Sequence, residues 1–172
     1  NGGGLTLFGG ADGDKEFKWI NSGTGPDYWS LGGGLLYSSS GINLAGLLKE
    51  KVSISADKFS VQPQCNLEDS AIHYRTTAET TTSQPNLRYN VSTTLNDAMN
   101  IGEALTVTLI FTPASGGYSE HITIDGNSVT ENWIGGSAPS QGSSSGLDIY
   151  TYNIIKTANA TFTVIANVSN AA

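Results

Sequence analysis

The sequence predicts an all-β fold, an antiparallel β-sandwich or jelly roll with a Gly-rich N-terminal arm, on three observations. Gly, Ser, Thr and Asn supply 73 of the 172 residues, whereas the residues that build long helical bundles are scarce. Apolar and polar residues alternate over many short segments after residue 50, which is the period of a half-buried strand. Turn signals separate these segments at intervals of roughly ten residues, as is typical of sandwiches and jelly rolls.

Residue 50 also marks a change in composition. Before it, runs of glycine separate short apolar pieces, and such a segment is poorly suited to folding alone. After it, the alternating pattern continues almost to the end of the chain. We therefore expect residues 1–50 to form an arm or accessory strands, and residues 51–172 to form the β-sandwich domain.

Within residues 1–50, three segments carry a structural signal. Lys15–Asn21 alternates, with Phe17 and Trp19 on one side of a predicted strand. Pro26–Trp29 is typical of a turn that carries two aromatic residues. Ile42–Lys51 is the best helix candidate of the chain, although a glycine within it weakens the pattern.

Eight segments of residues 51–172 have the alternation of strands. The clearest is Ala104–Thr112, whose odd-numbered residues face the predicted core. Between strands, Thr76–Gln84 is expected to be an exposed loop, and Asp125-Gly126 a tight turn because Gly tolerates a positive φ. The predicted strands are Val52–Ala56, Ala71–Thr76, Leu87–Thr93, Ala104–Thr112, Tyr118–Asp125, Val129–Ile134, Leu147–Lys156 and Thr161–Val168.

Composition argues against several classes of protein. The formal net charge of −7 disfavours a nucleic-acid partner, because phosphate contacts need a basic face. The apolar runs are far shorter than the ~20 residues of a membrane span. The single cysteine, Cys65, cannot form an intrachain disulfide and is expected to be a small buried residue. Three N-glycosylation sequons, at Asn90, Asn159 and Asn167, carry little weight in a chain so rich in Asn, Ser and Thr.

Signals for catalysis or metal binding are weak, and we predict a protein that is not an enzyme and holds no cofactor or metal. His73 and His121 are the only histidines, and no serine lies in a nucleophile-elbow pattern. The glycine runs lack the Lys-Ser/Thr of a phosphate-binding loop. Asp12–Glu16 alternates acids as calcium loops do, but Gly23 stands where the bidentate Glu would be, so a solvated acidic turn is expected.

One predicted loop, which begins at Trp133 and ends at Tyr150 and is here called the corner, combines features of a ligand-binding site. Its glycines permit a sharp departure from a strand, and its proline stiffens the loop that follows. Its aspartate can accept N–H groups of the Ser143–Ser145 loop. One interpretation is a structural corner without chemistry; the other is a ligand-binding lip whose two aromatic residues stack on a sugar. The corner residues are Trp133, Gly135, Gly136, Pro139, Asp148 and Tyr150.

About half of the chain, from Leu87 to Val168, carries a series of motifs in a recognisable order. Trp133 begins a W-x-G-G-x-A-P block, which an acidic residue, an aromatic-rich strand and one further strand follow. This order and spacing resembles a domain that recurs in structural proteins of tailed bacteriophages, especially marine and cyanobacterial ones. The motif residues are Ile124-Asp125-Gly126, Trp133, Gly135–Pro139, Gly142, Asp148, Tyr150, Tyr152, Ile154–Thr157 and Phe162–Val164.

The resemblance implies a structural component of a virion, as a capsid decoration or as part of a tail or fibre. The implied partners are other copies of the chain and the capsid or tail proteins, and the implied location is the virion itself. The motif defines no functional residues, so the resemblance assigns none. Two alternatives stay open: an adhesin module that binds glycans of a host surface, and a subunit of an extracellular filament whose N-terminal strand completes a neighbour's sandwich.

Overall fold

The computed structural model of the chain describes residues 4–7, 15–23, 28–31, 42–43, 45–114 and 116–171. These residues form thirteen strands and one short helix, so the prediction of an all-β fold is confirmed. The chain divides into two compact units, Asn1–Leu48 and Lys49–Ala172.

The N-terminal unit contains a three-stranded antiparallel sheet. Its strands are β1 (Gly4–Leu7), β2 (Lys15–Ile20) and β3 (Tyr28–Ser30), with β2 in the centre. Strand β2 agrees with the predicted alternation. The predicted turn at Pro26–Trp29 is wrong for its last two residues, which lie in β3 because Trp29 pairs with Trp19 across the strands, and cross-strand aromatic pairs stabilise sheets. Residues 12–14 of the predicted acidic turn lie outside the described residues.

The predicted helix at Ile42–Lys51 is wrong. Residues 42–43 and 45–51 are not helical, and the side chains of Leu47 and Leu48 are exposed. A segment this short forms a stable helix only when an apolar face packs on a core, and Gly46 weakens it further. The helix of the described residues is instead α1 (Leu95–Ala98).

The C-terminal unit contains two sheets. The four-stranded sheet has the order β10-β9-β7-β5, with the strands β5 (Gln64–Asn66), β7 (Asn86–Arg88), β9 (Thr123–Ile124) and β10 (Asn127–Ser128). The six-stranded sheet has the order β11-β13-β12-β8-β6-β4. Its strands are β4 (Val52–Ser55), β6 (Ile72–Glu79), β8 (Ala104–Pro113), β11 (Glu131–Trp133), β12 (Leu147–Ala158) and β13 (Thr161–Ala171).

From β4 to β9 the chain alternates between the two sheets, one strand at a time. Each return to a sheet brings a strand that runs in the same direction as the previous one. The neighbours β4, β6 and β8 are therefore parallel, as are β5, β7 and β9, and β11 also lies parallel to β13. The expectation of antiparallel pairing is wrong for these five pairs, because alternation of side chains along a strand carries no information on the direction of its neighbours.

Antiparallel pairing holds in the centre of the six-stranded sheet. Strand β12 lies between β8 and β13 and is paired with both along most of its length. Strands β12 and β13 form a hairpin, and the short turn predicted at Ala158–Ala160 joins them. The long strands therefore form the centre of the sheet, and the shorter parallel strands extend it on both sides, β6 and β4 beside β8 and β11 beside β13.

Buried residues of both sheets form one hydrophobic core. Alternate residues of β8 and β12 face this core, as the sequence pattern predicts for β8. Strands β5, β7 and β9 contribute one buried apolar residue each, which are Cys65, Leu87 and Ile124. The largest side chains of the core are Tyr150, Tyr152, Phe59 and Phe111.

Two segments of this unit are buried differently from the prediction. Val52 and Ile54 of β4 share a face, as predicted, but this face is exposed. The segment Thr76–Gln84 is not simply an exposed loop, because β6 extends to Glu79 and the side chains of Glu79 and Ser83 are buried. The buried carboxylate of Glu79 accepts hydrogen bonds from the backbone N–H and the hydroxyl of Ser60.

The predicted tight turn joins β9 and β10. Asp125 and Gly126 have φ angles of 53° and 78°, as the two central residues of a type I′ turn require. The carboxylate of Asp125 accepts the N–H groups of Leu95 and Asn96 at 2.7 and 3.0 Å, which places α1 against the turn. The preceding segment is shorter as a strand than predicted, although Ile122 and Ile124 are buried as expected.

Because the buried core residues all lie between residues 59 and 166, we expect a chain that begins at Lys49 to fold without the N-terminal unit. Its far-ultraviolet circular dichroism spectrum should be of the β type, and its denaturant unfolding should be a single cooperative transition. A truncated chain without such a transition would show that residues 1–48 supply part of the core.

Candidate functional site

The corner predicted from the sequence begins where β11 ends. The N–H of Ile134 donates to Ala166 O at 2.8 Å, and the N–H of Gly136 donates back to Trp133 O at 2.9 Å. Gly135 and Gly136 have φ angles of 91° and 86°, in a region that other residues rarely occupy. The two glycines therefore make the sharp departure from the strand that the sequence predicts.

Asp148 holds the far end of the same loop. Its buried carboxylate accepts the N–H of Ser143 at 2.9 Å, which is a contact that the sequence predicts, and the side-chain amide of Asn170 at 2.6 Å. A Cβ atom at Gly142 would lie 2.0 Å from Gly117 O, so only glycine fits there. The loop is fixed by a buried carboxylate and a close backbone contact.

Tyr150 does not lie at the surface. Its side chain is fully buried, and its hydroxyl accepts the N–H of Ser119 at 3.2 Å. Burial raises the pKa of Tyr150 to about 12, with a smaller contribution from the nearby Asp148. The interpretation of Tyr150 as a sugar-stacking platform is therefore wrong, because a ring without exposed surface cannot stack on a ligand.

Trp133 is partly buried and packs on the core. Its ring meets the rings of Tyr150 and Tyr152 edge-on, with centroid distances of 6.4 and 6.2 Å. These are favourable aromatic geometries. Pro139 lies farther along the loop and is also partly buried. Of the six corner residues, the structure brings Trp133 and Tyr150 into contact and ties Asp148 to the loop.

A shallow cleft of about 450 Å³ lies beside the Asp148 anchor. Gly116, Gln141–Ser145 and Asn170 line it. These groups offer hydroxyl, amide and backbone hydrogen bonds but no aromatic ring, so the cleft lacks the stacking surface proposed for a sugar.

The two histidines have separate surroundings. His73 lies in the core, and neither of its ring nitrogens has a hydrogen-bond partner. Burial, with a smaller contribution from the positive charge of Arg75, lowers the pKa of His73 to about 4. His121 is exposed and lies 3.2 Å from the carboxylate of Glu131, which also accepts the N–H of Ile122. The histidines therefore do not form a common site.

Arg75 and Cys65 are both buried in the core region. The guanidinium of Arg75 lies 5.2 Å from the centre of the Phe59 ring, a cation–π geometry, and its Nε has no partner. Burial raises the pKa of the Cys65 thiol to about 12, so this cysteine is the small buried residue that the sequence predicts. Among the described residues, no group of three metal-ligating side chains forms a metal site.

Two exposed apolar surfaces were not predicted as sites. The first, here called the aromatic face, consists of Leu5, Phe17, Trp19 and Trp29 on one side of the N-terminal sheet. Phe17 and Trp29 are stacked with centroids 4.6 Å apart, yet both remain exposed. The signal in the sequence was the alternation of Phe17 and Trp19.

The second surface, here called the outer face, lies on the six-stranded sheet opposite the core. Ile54, Tyr74, Ile110 and Ile149 are aligned across β4, β6, β8 and β12, and Val52 is aligned with Ile72. Val52 and Ile54 are exposed, and the other four are partly exposed. These six residues define the outer face. Alternation alone could not reveal it, because both faces of these strands carry apolar residues.

Comparisons of the chain with protein-family models, with curated proteins and with solved structures found no match. No helix of the described residues is long and apolar enough to cross a membrane.

Replacing Trp133 tests the corner. We expect Trp133→Ala to lower the free energy of unfolding by about 3 kcal/mol, the lower end of the range for a buried aromatic, because this ring is only partly buried. The neighbouring Ile134 is exposed, so Ile134→Ala should leave the denaturation midpoint nearly unchanged. Equal effects of the two variants would contradict a packing role for Trp133.

The pKa of His73 predicts acid sensitivity. The folded protein binds a proton at His73 only near pH 4, whereas the unfolded chain binds one near pH 6.5. Between these values the unfolded state holds more protons, so the free energy of unfolding falls as the pH falls, by up to about 1.4 kcal/mol per pH unit.

Chemical denaturation between pH 7 and pH 4 measures this slope. In His73→Leu the difference in bound protons between the unfolded and folded states should be smaller by about one than in the parent chain, so the free energy of unfolding should depend less steeply on pH. An unchanged slope in His73→Leu would show that His73 does not cause the acid sensitivity.

Proposed function

We propose that the chain is a non-enzymatic structural protein that works by assembling with other copies of itself, as a capsid decoration or tail or fibre component of a tailed-bacteriophage virion. The observation that carries this proposal is the presence of two exposed apolar sheet surfaces, the aromatic face and the outer face, on one chain. Large exposed apolar patches mark interaction surfaces, because isolated soluble proteins rarely leave them uncovered.

The fold supports an assembly role. We infer that the four-stranded and six-stranded sheets are the two layers of a β-sandwich, the broader class to which the jelly roll belongs, since buried residues of both sheets share one core. Three titratable side chains, those of His73, Glu131 and Asp148, have structural positions. His73 is in the core, Glu131 is bound to a backbone N–H, and Asp148 holds a loop.

The virion as location rests on the motif series from Leu87 to Val168, which resembles phage structural proteins. Its loop and strand elements are present: the Asp125-Gly126 turn, the Gly135-Gly136 departure and the Asp148 anchor. An antibody raised against the chain should label virions at a fixed position in electron microscopy. Absence of the chain from purified particles would contradict this location.

A carbohydrate-binding adhesin is the second candidate. The observation that favours it is the exposure of Phe17 and Trp29, because aromatic rings stack on sugars at binding sites. The corner at Trp133 does not add to this candidate, since Tyr150 is buried. A glycan array tests the adhesin directly.

Self-association should persist as the salt concentration rises. Copies of a chain with a net charge of −7 repel one another, and salt screens this repulsion while apolar burial persists. Sedimentation velocity over a salt series up to molar concentrations should show an equal or larger mass at high salt. Dissociation at high salt would show that ion pairs, and not apolar surfaces, hold the copies together.

A further inference from the structure

A polar cleft of about 250 Å³, here called the arginine cleft, lies on the outer surface of the four-stranded sheet. Every residue that lines it belongs to the C-terminal unit. Its floor is formed by Gln64 of β5 and by Asn86 and Arg88 of β7. These side chains point away from the core because they alternate along the strands with the buried Cys65 and Leu87. The floor of the cleft is therefore part of the regular sheet.

Arg88 is held in a fixed orientation in this floor. Its Nε donates to Asn66 Oδ1 at 2.8 Å. Among the residues that the structure describes, its two Nη groups have no hydrogen-bond partner and no carboxylate forms an ion pair with them. The only other arginine of the chain, Arg75, is buried. Arg88 thus retains the N–H groups that bind a carboxylate through two parallel hydrogen bonds.

Hydrogen bonds within the chain also fix the other groups that line the arginine cleft. The side-chain oxygen of Asn90 accepts the N–H groups of Ser92 and Thr93 at 2.8 and 2.6 Å, which orders the loop that carries their hydroxyls. The carboxylate of Asp125 is held in the same way by two N–H groups of α1. A site whose groups are ordered before binding loses little entropy when a ligand binds.

A second cleft, of about 280 Å³, adjoins the arginine cleft and shares Thr94 and Asp125 with it. It adds the polar side chains of Asn127 and Ser128 and the partly buried ring of Phe162. Each cleft is slightly smaller than the ~300 Å³ at which small-molecule sites begin. A ligand longer than one ring therefore fits the pair of clefts better than it fits either cleft alone.

We propose that the two clefts bind an oligosaccharide of uronic acids, with one of its carboxylates on Arg88. Neutral amides and hydroxyls outnumber charged groups in both clefts, and they can both donate to and accept from sugar hydroxyls. Asp125 has further lone pairs that accept from a sugar hydroxyl. Phe162 provides an apolar contact for the face of a sugar ring. The proposal goes beyond the assembly function and does not rest on it.

The charges of the two clefts favour a carboxylate over other anions. One arginine is accompanied by two aspartates, Asp97 and Asp125. These repel a phosphate, which carries up to two negative charges, more strongly than a carboxylate, which carries one. A neutral sugar, in turn, would leave the guanidinium of Arg88 without a charged partner.

An array of acidic oligosaccharides, probed with the full chain, tests the class of ligand. The array carries oligomers of galacturonic, glucuronic, mannuronic and guluronic acid, and the methyl esters of the same oligomers serve as uncharged controls. We expect the chain to bind at least one acid, and to bind its ester about tenfold more weakly or worse, because the ester offers no charge to Arg88. Calorimetry should show that this affinity falls as the salt concentration rises.

Arg88→Gln tests the position of the carboxylate, and its control, Lys51→Gln, removes the same charge from an exposed residue outside both clefts. Arg88→Gln should bind the selected acid about tenfold more weakly or worse and bind the ester as the parent chain does, which also shows that its clefts are intact. Lys51→Gln should bind both like the parent chain. Arg88→Lys keeps the charge but loses the planar fork, so its affinity for the acid should lie between the two.

The length of the ligand tests the second cleft. The affinity should rise severalfold from a single uronic acid to its trimer. This gain should disappear in Ser128→Trp, because a large ring then fills the second cleft while the arginine cleft stays open. A trimer that binds no better than a single ring would reject the second cleft as part of the site.

The other outcomes overturn the proposal in distinguishable ways. Failure to bind every acid of the array would reject it and leave the assembly function untouched, whereas a monomeric chain that binds an acid would reject the assembly function alone. Equal binding of acid and ester would reject the role of Arg88. Displacement of the acid by an equal concentration of inorganic phosphate would show a site for simple anions. Binding that is lost in Trp29→Ala and kept in Arg88→Gln would place the sugar on the aromatic face.

Discussion

The C-terminal unit depends on the burial of two tyrosine hydroxyls in an apolar core. Tyr150 and Tyr152 lie on the inner face of β12, next to Phe111 and Trp133, and a buried hydroxyl is costly unless it is hydrogen-bonded. Both hydroxyls find their partner in one residue, Ser119, through its N–H and its side chain. The segment between β8 and β9 is therefore held against the central strand, and the two sheets face a common core.

The sequence predicted the parts of the fold that depend on local pattern. The alternation of β8, the Asp125-Gly126 turn and the hairpin of β12 and β13 all agree with the structure, because each is determined by neighbouring residues. The parallel winding of β4 to β9 was not predictable in this way. It follows from which sheet each strand joins, and that choice is made by long-range burial, which a single sequence does not display.

The same distinction applies to the predicted corner. Gly135, Gly136 and Asp148 behave as the sequence indicates, since backbone conformation and a nearby loop N–H are local properties. The sequence does not predict the burial of the Tyr150 ring, because the residue type of an aromatic side chain on a strand does not show which side of the strand faces the core. The burial of His73 could not be predicted for the same reason, because a polar residue in a strand is usually assigned to the solvent side.

The outer surfaces of the two sheets of the C-terminal unit differ in polarity. Outside the four-stranded sheet, polar side chains bond across the strands β5 and β7, as in the pairs Gln64–Asn86 and Asn66–Arg88. The fold is therefore compatible with polar side chains on the outer surface of a sheet, whereas the outer surface of β4 and β6 carries apolar side chains. Since β-branched and aromatic residues suit strands on either side, propensity does not require an apolar outer surface, and threonine would serve as well. The apolar residues aligned across four strands therefore support the proposed role in assembly, because strand formation alone does not require them.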